Sequence, residues 1–149
     1  MSETWQSDAE ALRSARPGHI LFLCVANSAR SQMAEGIARS LAPEDIKISS
    51  AGSKPSKVNP LAIRALDEVG IDIRSHRSKS VDEIDPADVD AVVTLCAEEV
   101  CPVFLGKARR VHWGLPDPAG AGATDEEQLQ AFRNIRDELH RRLSALFAR

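Results

Sequence analysis

The stretch HILFLCVANSAR, residues 19–30, constrains the fold more than any other part of this chain. Residues 20–24 are apolar without interruption, so neither face of that segment can meet water, and a strand covered on both sides accommodates it best. Small and turn-compatible residues follow. Residues 29–41 then bring Met33, Ile37 and Leu41 to helical spacing with Ala34 and Ala38 alongside, and Pro43 closes the segment. A buried strand, a tight loop and an amphipathic helix in direct succession form the first unit of a parallel α/β sheet.

The pattern recurs along the chain. Residues 46–50 form a second strand candidate ending at Ala51-Gly52, and Asn59-Pro60 supply an N-cap and a first-turn proline for a helix over 61–69, stopped by Gly70. DAVVTL (90–95) is another buried-strand pattern and RRVHW (109–113) a weaker fourth. Thr124 and Glu127 make a capping box, after which Leu129, Phe132, Ile135, Leu139, Leu143 and Leu146 trace one helical face. The expected architecture is α/β: a four-stranded, parallel, doubly wound sheet with right-handed crossovers and helices on both faces. A chain of 149 residues suits a single core. Residues 1–18 are expected to be an N-terminal extension, frayed apart from a short helix over 7–15 and set off by Pro17-Gly18; residues 19–149 are the domain.

A formal charge of -3 argues against a nucleic-acid partner, which needs a basic stripe. The apolar runs are too short for a bilayer and the first residues lack a secretory pattern, so a cytoplasmic location is expected. Three cysteines, an odd number, do not suit a fixed disulfide framework and direct attention to reactive or metal-bound thiols.

In doubly wound sheets ligands sit outside the carboxyl ends of the strands. Cys24 ends the first strand, Cys96 ends the third, and Asp117 follows the fourth, so all three belong on one rim. Between Cys24 and the helix, backbone amides can curl into a nest at a helix N-terminus, which suits a tetrahedral oxyanion. Arg30 adds a planar fork of donors. The same positive field favours thiolate over thiol, and Ser28 and Ser31 are placed to donate to the sulfur. Cys24 is therefore the candidate nucleophile and Arg30 the anion clamp. Val25, Ala26, Asn27, Ser28, Ala29, Arg30 and Ser31 are the candidate substrate-binding residues. Zinc on Cys96, Cys101 and His112 is disfavoured, because His112 and His140 are too far apart for a histidine pair motif, and no metal is expected. His19 and His76 read as structural or surface groups.

CVANSARSQMAEG, SSAG, VNPLAIRAL, VVTLC and HWGLPDPAG resemble, in order, blocks of the low-molecular-weight protein tyrosine phosphatase fold and, within it, the thiol-dependent arsenate reductases of thioredoxin-coupled type. The resemblance runs from about His19 to the C-terminus. It implies that Cys24 attacks the oxyanion, that Arg30 stabilises it, and that Asp117, in a turn between Pro116 and Pro118, protonates the departing oxygen. For a reductase it further implies that Cys96 attacks the Cys24 sulfur and Cys101 then attacks Cys96, leaving a disulfide for thioredoxin or another thiol reductant. The alternative is a phosphatase that uses Cys24, Arg30 and Asp117 alone and hydrolyses a phosphate monoester through a phosphocysteine. The phosphatases typically carry tyrosine after the Asp-Pro pair, whereas Ala119 and Gly120 stand here and the chain has no tyrosine. Some reductases of this fold bind potassium through Asn, Glu, Ser and Asp, matched here by Asn27, Glu35 and Ser50. Lys79 stands at the fourth position, so an ammonium is expected in place of the cation and no cofactor is needed. The implied substrate is arsenate, with phosphate or sulfate as analogues, acted on by a monomer.

Overall fold

The computed structural model describes residues 4–97 and 106–148. Strands β1 (His19–Cys24), β2 (Lys47–Gly52), β3 (Ala91–Thr94) and β4 (Arg109–His112) form one parallel sheet in the order β2-β1-β3-β4. The chain leaves β1 for β2 on one side and returns to place β3 on the other. The carboxyl end of β1 therefore lies at the point where strand order reverses, the place where such sheets open a crevice.

All six residues of β1 are buried, as the uninterrupted apolar run requires. Their alternation divides the interior in two. Ile20 and Phe22, with Ile48, Ala91 and Val93, pack against helices α1 (Thr4–Ala15), α2 (Arg30–Leu41), α3 (Pro60–Asp67) and α4 (Asp125–Leu146). Leu21 and Leu23, with Ala51 and Val92, pack against Val81, Ile84 and Val89. Those three belong to a segment that winds through short 3₁₀ turns at Val81–Glu83 and Pro86–Asp88, so the helical cover of this second face consists, among the described residues, of single turns. No helix among the described residues is long and apolar enough to cross a membrane.

The expected caps are in place. Asn59 Oδ1 accepts from Leu61 N at 2.9 Å, and Thr124 and Glu127 exchange side-chain and backbone bonds at 3.1 Å each. Helix α3 ends at Asp67, short of the pattern's limit at 69. Gly70 (φ +81°) turns the chain there, and Ile71 N returns to Leu66 O at 3.0 Å.

The N-terminal segment differs from its expectation. Rather than fraying, it forms α1 from Thr4, and Trp5, Ala9 and Leu12 are buried in the main core at the i, i+4, i+7 spacing of one helical stripe. Arg13 Nη1 donates to Ala145 O at 2.8 Å and ties the end of α1 to the end of α4. Three apolar positions in so short a segment are a faint pattern. Its stability comes from the partner surface, which sequence periodicity does not reveal.

Candidate active site

Cys24 ends β1 with its side chain buried and Sγ 2.9 Å from Ser31 Oγ, so the expected contact from the first turn of α2 is made. Ser28 makes no such contact among the described bonds and instead lines the cavity beside the loop. Asn27 adopts φ +48°, a left-handed conformation that asparagine tolerates better than most residues and that lets the loop curl tightly. Its side chain faces inward: Nδ2 donates to Ser31 Oγ at 2.8 Å and to Ser50 Oγ at 3.0 Å.

The loop carbonyls are bonded from outside. Val25 O accepts from Lys54 N at 2.9 Å, Ala26 O from Ser56 N at 3.2 Å and Ser78 Oγ at 3.0 Å, and Ser28 O from Asn59 N at 3.0 Å. Asn27 O accepts from Gln32 Nε2 at 3.3 Å. A trans peptide aims each N–H opposite to the preceding carbonyl, and no cis bond interrupts the described chain. The amides of Ala26, Asn27, Ser28 and Ala29 therefore turn away from these outer donors and toward the concave side, at the N-terminus of α2. That arrangement is an anion nest.

Arg30, the first residue of α2, closes it. Its buried guanidinium donates from Nη1 to Leu115 O at 2.9 Å and to Leu95 O at 3.4 Å, while Nη2 lies 3.9 Å from Asp117 Oδ2. The Arg30 side chain is 4% exposed and that of Asp117 50%, so the charge pair spans the boundary between interior and solvent. A cavity of about 230 Å³ opens beside them, lined by Cys24, Val25, Ala26, Ser28, Ala29 and Arg30 from the loop and by Asp117 and Ala119 from the segment after β4. Of the seven candidate substrate-binding residues, Asn27 and Ser31 alone do not line this space. Both are fully buried, and their side chains brace the loop from behind.

Behind the loop, Glu35 gathers several partners. Oε1 accepts from Ser50 Oγ at 2.5 Å and lies 3.8 Å from Lys79 Nζ; Oε2 lies 2.9 Å from Arg39 Nη2 and 3.8 Å from His76 Nε2. Asn27 Oδ1 accepts from Lys79 N at 2.9 Å and Gln32 Nε2 at 3.0 Å. The oxygens that would ligate an alkali cation thus already face donors and an ammonium, and this set does not fit the cation. Burial lowers the Lys79 and His76 values from those of ordinary lysine and histidine, against the opposing pull of the Glu35 carboxylate.

Cys96 is buried just beyond β3, where Leu95 N donates to Leu23 O at 2.9 Å, so it shares the rim with Cys24. Cys96 is disulfide-bonded and Cys24 is a free thiol. Cys101 lies outside the described residues. His19 is a buried structural group held by Ser49 and Asp88, His140 lies exposed on α4, and His112 bonds Thr94 Oγ1 at 2.6 Å.

Two contributors escaped the sequence reading. Gly52 ends β2 beneath the loop, and a Cβ there would come within 2.8 Å of Asn27 N and 2.9 Å of Cys24 O. A glycine closing a buried strand is the available signal for such a close approach. Gln32 bridges Asn27, Arg77 O and His76 Nδ1, and one glutamine in a helix carries no comparable signal.

Comparisons with known proteins bear on the family and the fold. The sequence model of the family described as low molecular weight phosphotyrosine protein phosphatase matches residues 19–149. An arsenate reductase of Halalkalibacterium halodurans is 45% identical over 126 residues, 83% of this chain and 91% of that protein. Among solved structures, an arsenate reductase from Archaeoglobus fulgidus superposes with a TM-score of 0.75 at 30% identity, covering 87% of this chain and 99% of that one. An arsenate reductase in the phosphate-binding state superposes with a TM-score of 0.73 at 35% identity, covering 87% and 96%.

Proposed function

The chain belongs to the low molecular weight phosphotyrosine protein phosphatase family, and from that premise we propose that it works as an arsenate reductase. The observation that carries this reading is the second sulfur: Cys96 stands on the same rim as the Cys24 nest and is engaged in a disulfide, for which ester hydrolysis has no use. The relatives named arsenate reductase, and the one solved in the phosphate-binding state, support the same substrate class.

Arsenate enters the nest with its oxygens on the inward amides and the Arg30 fork. The Cys24 thiolate attacks arsenic, and the departing oxygen leaves as water after protonation by Asp117, giving a sulfur–arsenic(V) adduct. The Cys96 thiolate then attacks Cys24 Sγ. A sulfur–sulfur bond forms, the sulfur–arsenic bond breaks with its electron pair retained on arsenic, and arsenite departs as arsenic(III). Attack by Cys101 on Cys96 moves the disulfide to Cys96–Cys101 and releases the Cys24 thiolate. Both electrons come from thiols. An external dithiol protein of the thioredoxin kind restores the pair, and a cytoplasmic monomer suits that supply. The tyrosine that follows the Asp-Pro pair in the phosphatases is replaced here by Ala119, so among the described residues no aromatic side chain lines the cavity to grip a phosphotyrosine ring.

Cys101→Ser tests the reading. With a thioredoxin regenerating system the variant should release about one arsenite per chain and then stop, because a single Cys24–Cys96 disulfide cannot be passed on. Continued arsenite formation by the variant would overturn the Cys101 relay, and ester hydrolysis unaffected by the substitution, with no arsenite from the parent, would favour the phosphatase reading instead.

A further inference from the structure

Helix α1 lies outside residues 19–149, the part of the chain that the family shares, yet its first turn reaches the carboxyl rim of the sheet. Trp5 and Trp113 meet edge to face, with ring centroids 6.5 Å apart and planes at 90°. The Arg142 guanidinium sits 5.6 Å from the Trp5 ring centroid and 5.9 Å from that of Trp113, and Arg141 lies 5.0 Å from Trp5. Glu138 pins Arg142 through Nε at 2.6 Å. Both rings are buried, and neither indole N–H has a hydrogen-bond partner among the described residues, so ring packing and the two cations hold the contact.

Trp113 roots the segment that completes the anion site. Trp113 N donates to Thr94 O at 2.8 Å and Leu115 N to Leu95 O at 3.0 Å. Leu115 O then accepts from Arg30 Nη1 at 2.9 Å, and the chain continues to Asp117. One short run of backbone therefore sets both the guanidinium's direction and the carboxylate's position, and the Trp113 ring is its largest buried anchor.

We propose that Trp5 is a positioning residue for the oxyanion site: by clamping Trp113, α1 holds the run from Trp113 to Asp117 in register with Arg30. The family's shared residues build the nest, and this chain adds a brace from outside them. The proposal rests on the reading above only in naming arsenate as the substrate; the clamp itself is tested with inorganic phosphate.

The readout is the phosphate concentration that half-protects Cys24 from thiol alkylation, compared between Trp5→Phe, which keeps a ring, and Trp5→Leu, which keeps bulk alone. Trp5→Phe should stay within about twofold of the parent, whereas Trp5→Leu should need roughly three- to tenfold more phosphate, the reach of one edge-to-face contact. The chain has two tryptophans and no tyrosine, so Trp113 is the sole indole emitter in both variants, and its quenching by acrylamide should rise in Trp5→Leu. Arg142→Gln loosens the same stack from α4 and should shift phosphate protection in the same direction, which keeps the test decisive if Trp5→Leu fails to fold. A lowered melting temperature with unchanged phosphate protection in the folded variants would overturn the proposal, because a merely structural role predicts that result. Arsenate turnover is not needed for this readout, so a failure of the reductase reading and a failure of the clamp are separate outcomes.

Discussion

Two segments meet at the carboxyl rim, and they are held in opposite ways. The loop from Cys24 to Ser31 is fixed along its whole length: its carbonyls are bonded by Lys54, Ser56, Asn59 and Ser78, and its buried side chains by Ser50, Gln32 and Lys79. The segment from Trp113 to Gly120 is fixed at its root, through Trp113 and Leu115, while Asp117 at its tip is half exposed and bonds its own turn through Ala119 N at 3.0 Å. The contrast fits the division of labour proposed above, with the loop as receptor and Asp117 as acid. An anion receptor works best when its dipoles are aimed before the ligand arrives, whereas a proton donor has to exchange with solvent between turnovers.

Asp117→Asn bears most directly on that division and should have the largest effect. The single-turnover rate of arsenite release should fall about 10²- to 10³-fold, since the acid is lost, with phosphate protection of Cys24 unchanged or tighter and the melting temperature little moved. A parallel loss of phosphate binding would show that the tip belongs to the receptor after all.

Gly52→Ala probes the other segment. The added methyl would press on Asn27 N and Cys24 O, backbone atoms with no flexible end to move aside. Displacing the loop should cost on the order of 10²-fold in kcat/KM and about 1–3 kcal/mol in stability by denaturant titration. Normal phosphate protection in this variant would break the claim that the loop is fixed from outside.

The smallest expected effect comes from His19, at the far end of β1. Burial holds its imidazole below the ordinary value, with the Asp88 carbonyl pulling the other way. With the folded value lowered, the unfolded chain binds more protons below the ordinary value of 6.5. The contribution to stability is thus complete above that pH and is lost as pH falls through the lowered value. Melting temperatures from pH 8 to 5 should decline on the acid side, less steeply in His19→Asn, with phosphate protection at pH 7.5 the same in both. A change in that protection would couple the distant strand end to the rim and blur the comparison.

The sheet was legible because its signals are side-chain patterns. The continuous run in β1, the caps at Asn59 and Thr124 and the stripe on α4 each specify a local structure that tertiary contacts reinforce. The rim positions of Cys24, Cys96 and Asp117 followed from strand ends and parallel topology. The donors that surround the loop were not legible, because Lys54, Ser56 and Asn59 act there through backbone N–H groups that any residue but proline supplies. Gly52 works by lacking a side chain. The brace from α1 depends on Trp5 meeting a tryptophan far along the chain, and an isolated aromatic in a polar helix does not announce its partner.

The outer hydrogen bonds to the loop have a consequence for selectivity. They involve the protein alone, so the receptor is shaped at folding and is indifferent to which central atom its guest carries. Phosphate, a near copy of arsenate in size and charge, should occupy it freely. Discrimination then falls to what happens after capture: phosphorus(V) does not accept an electron pair from thiols, arsenic(V) does, and only the second guest lets the sulfur chemistry run forward.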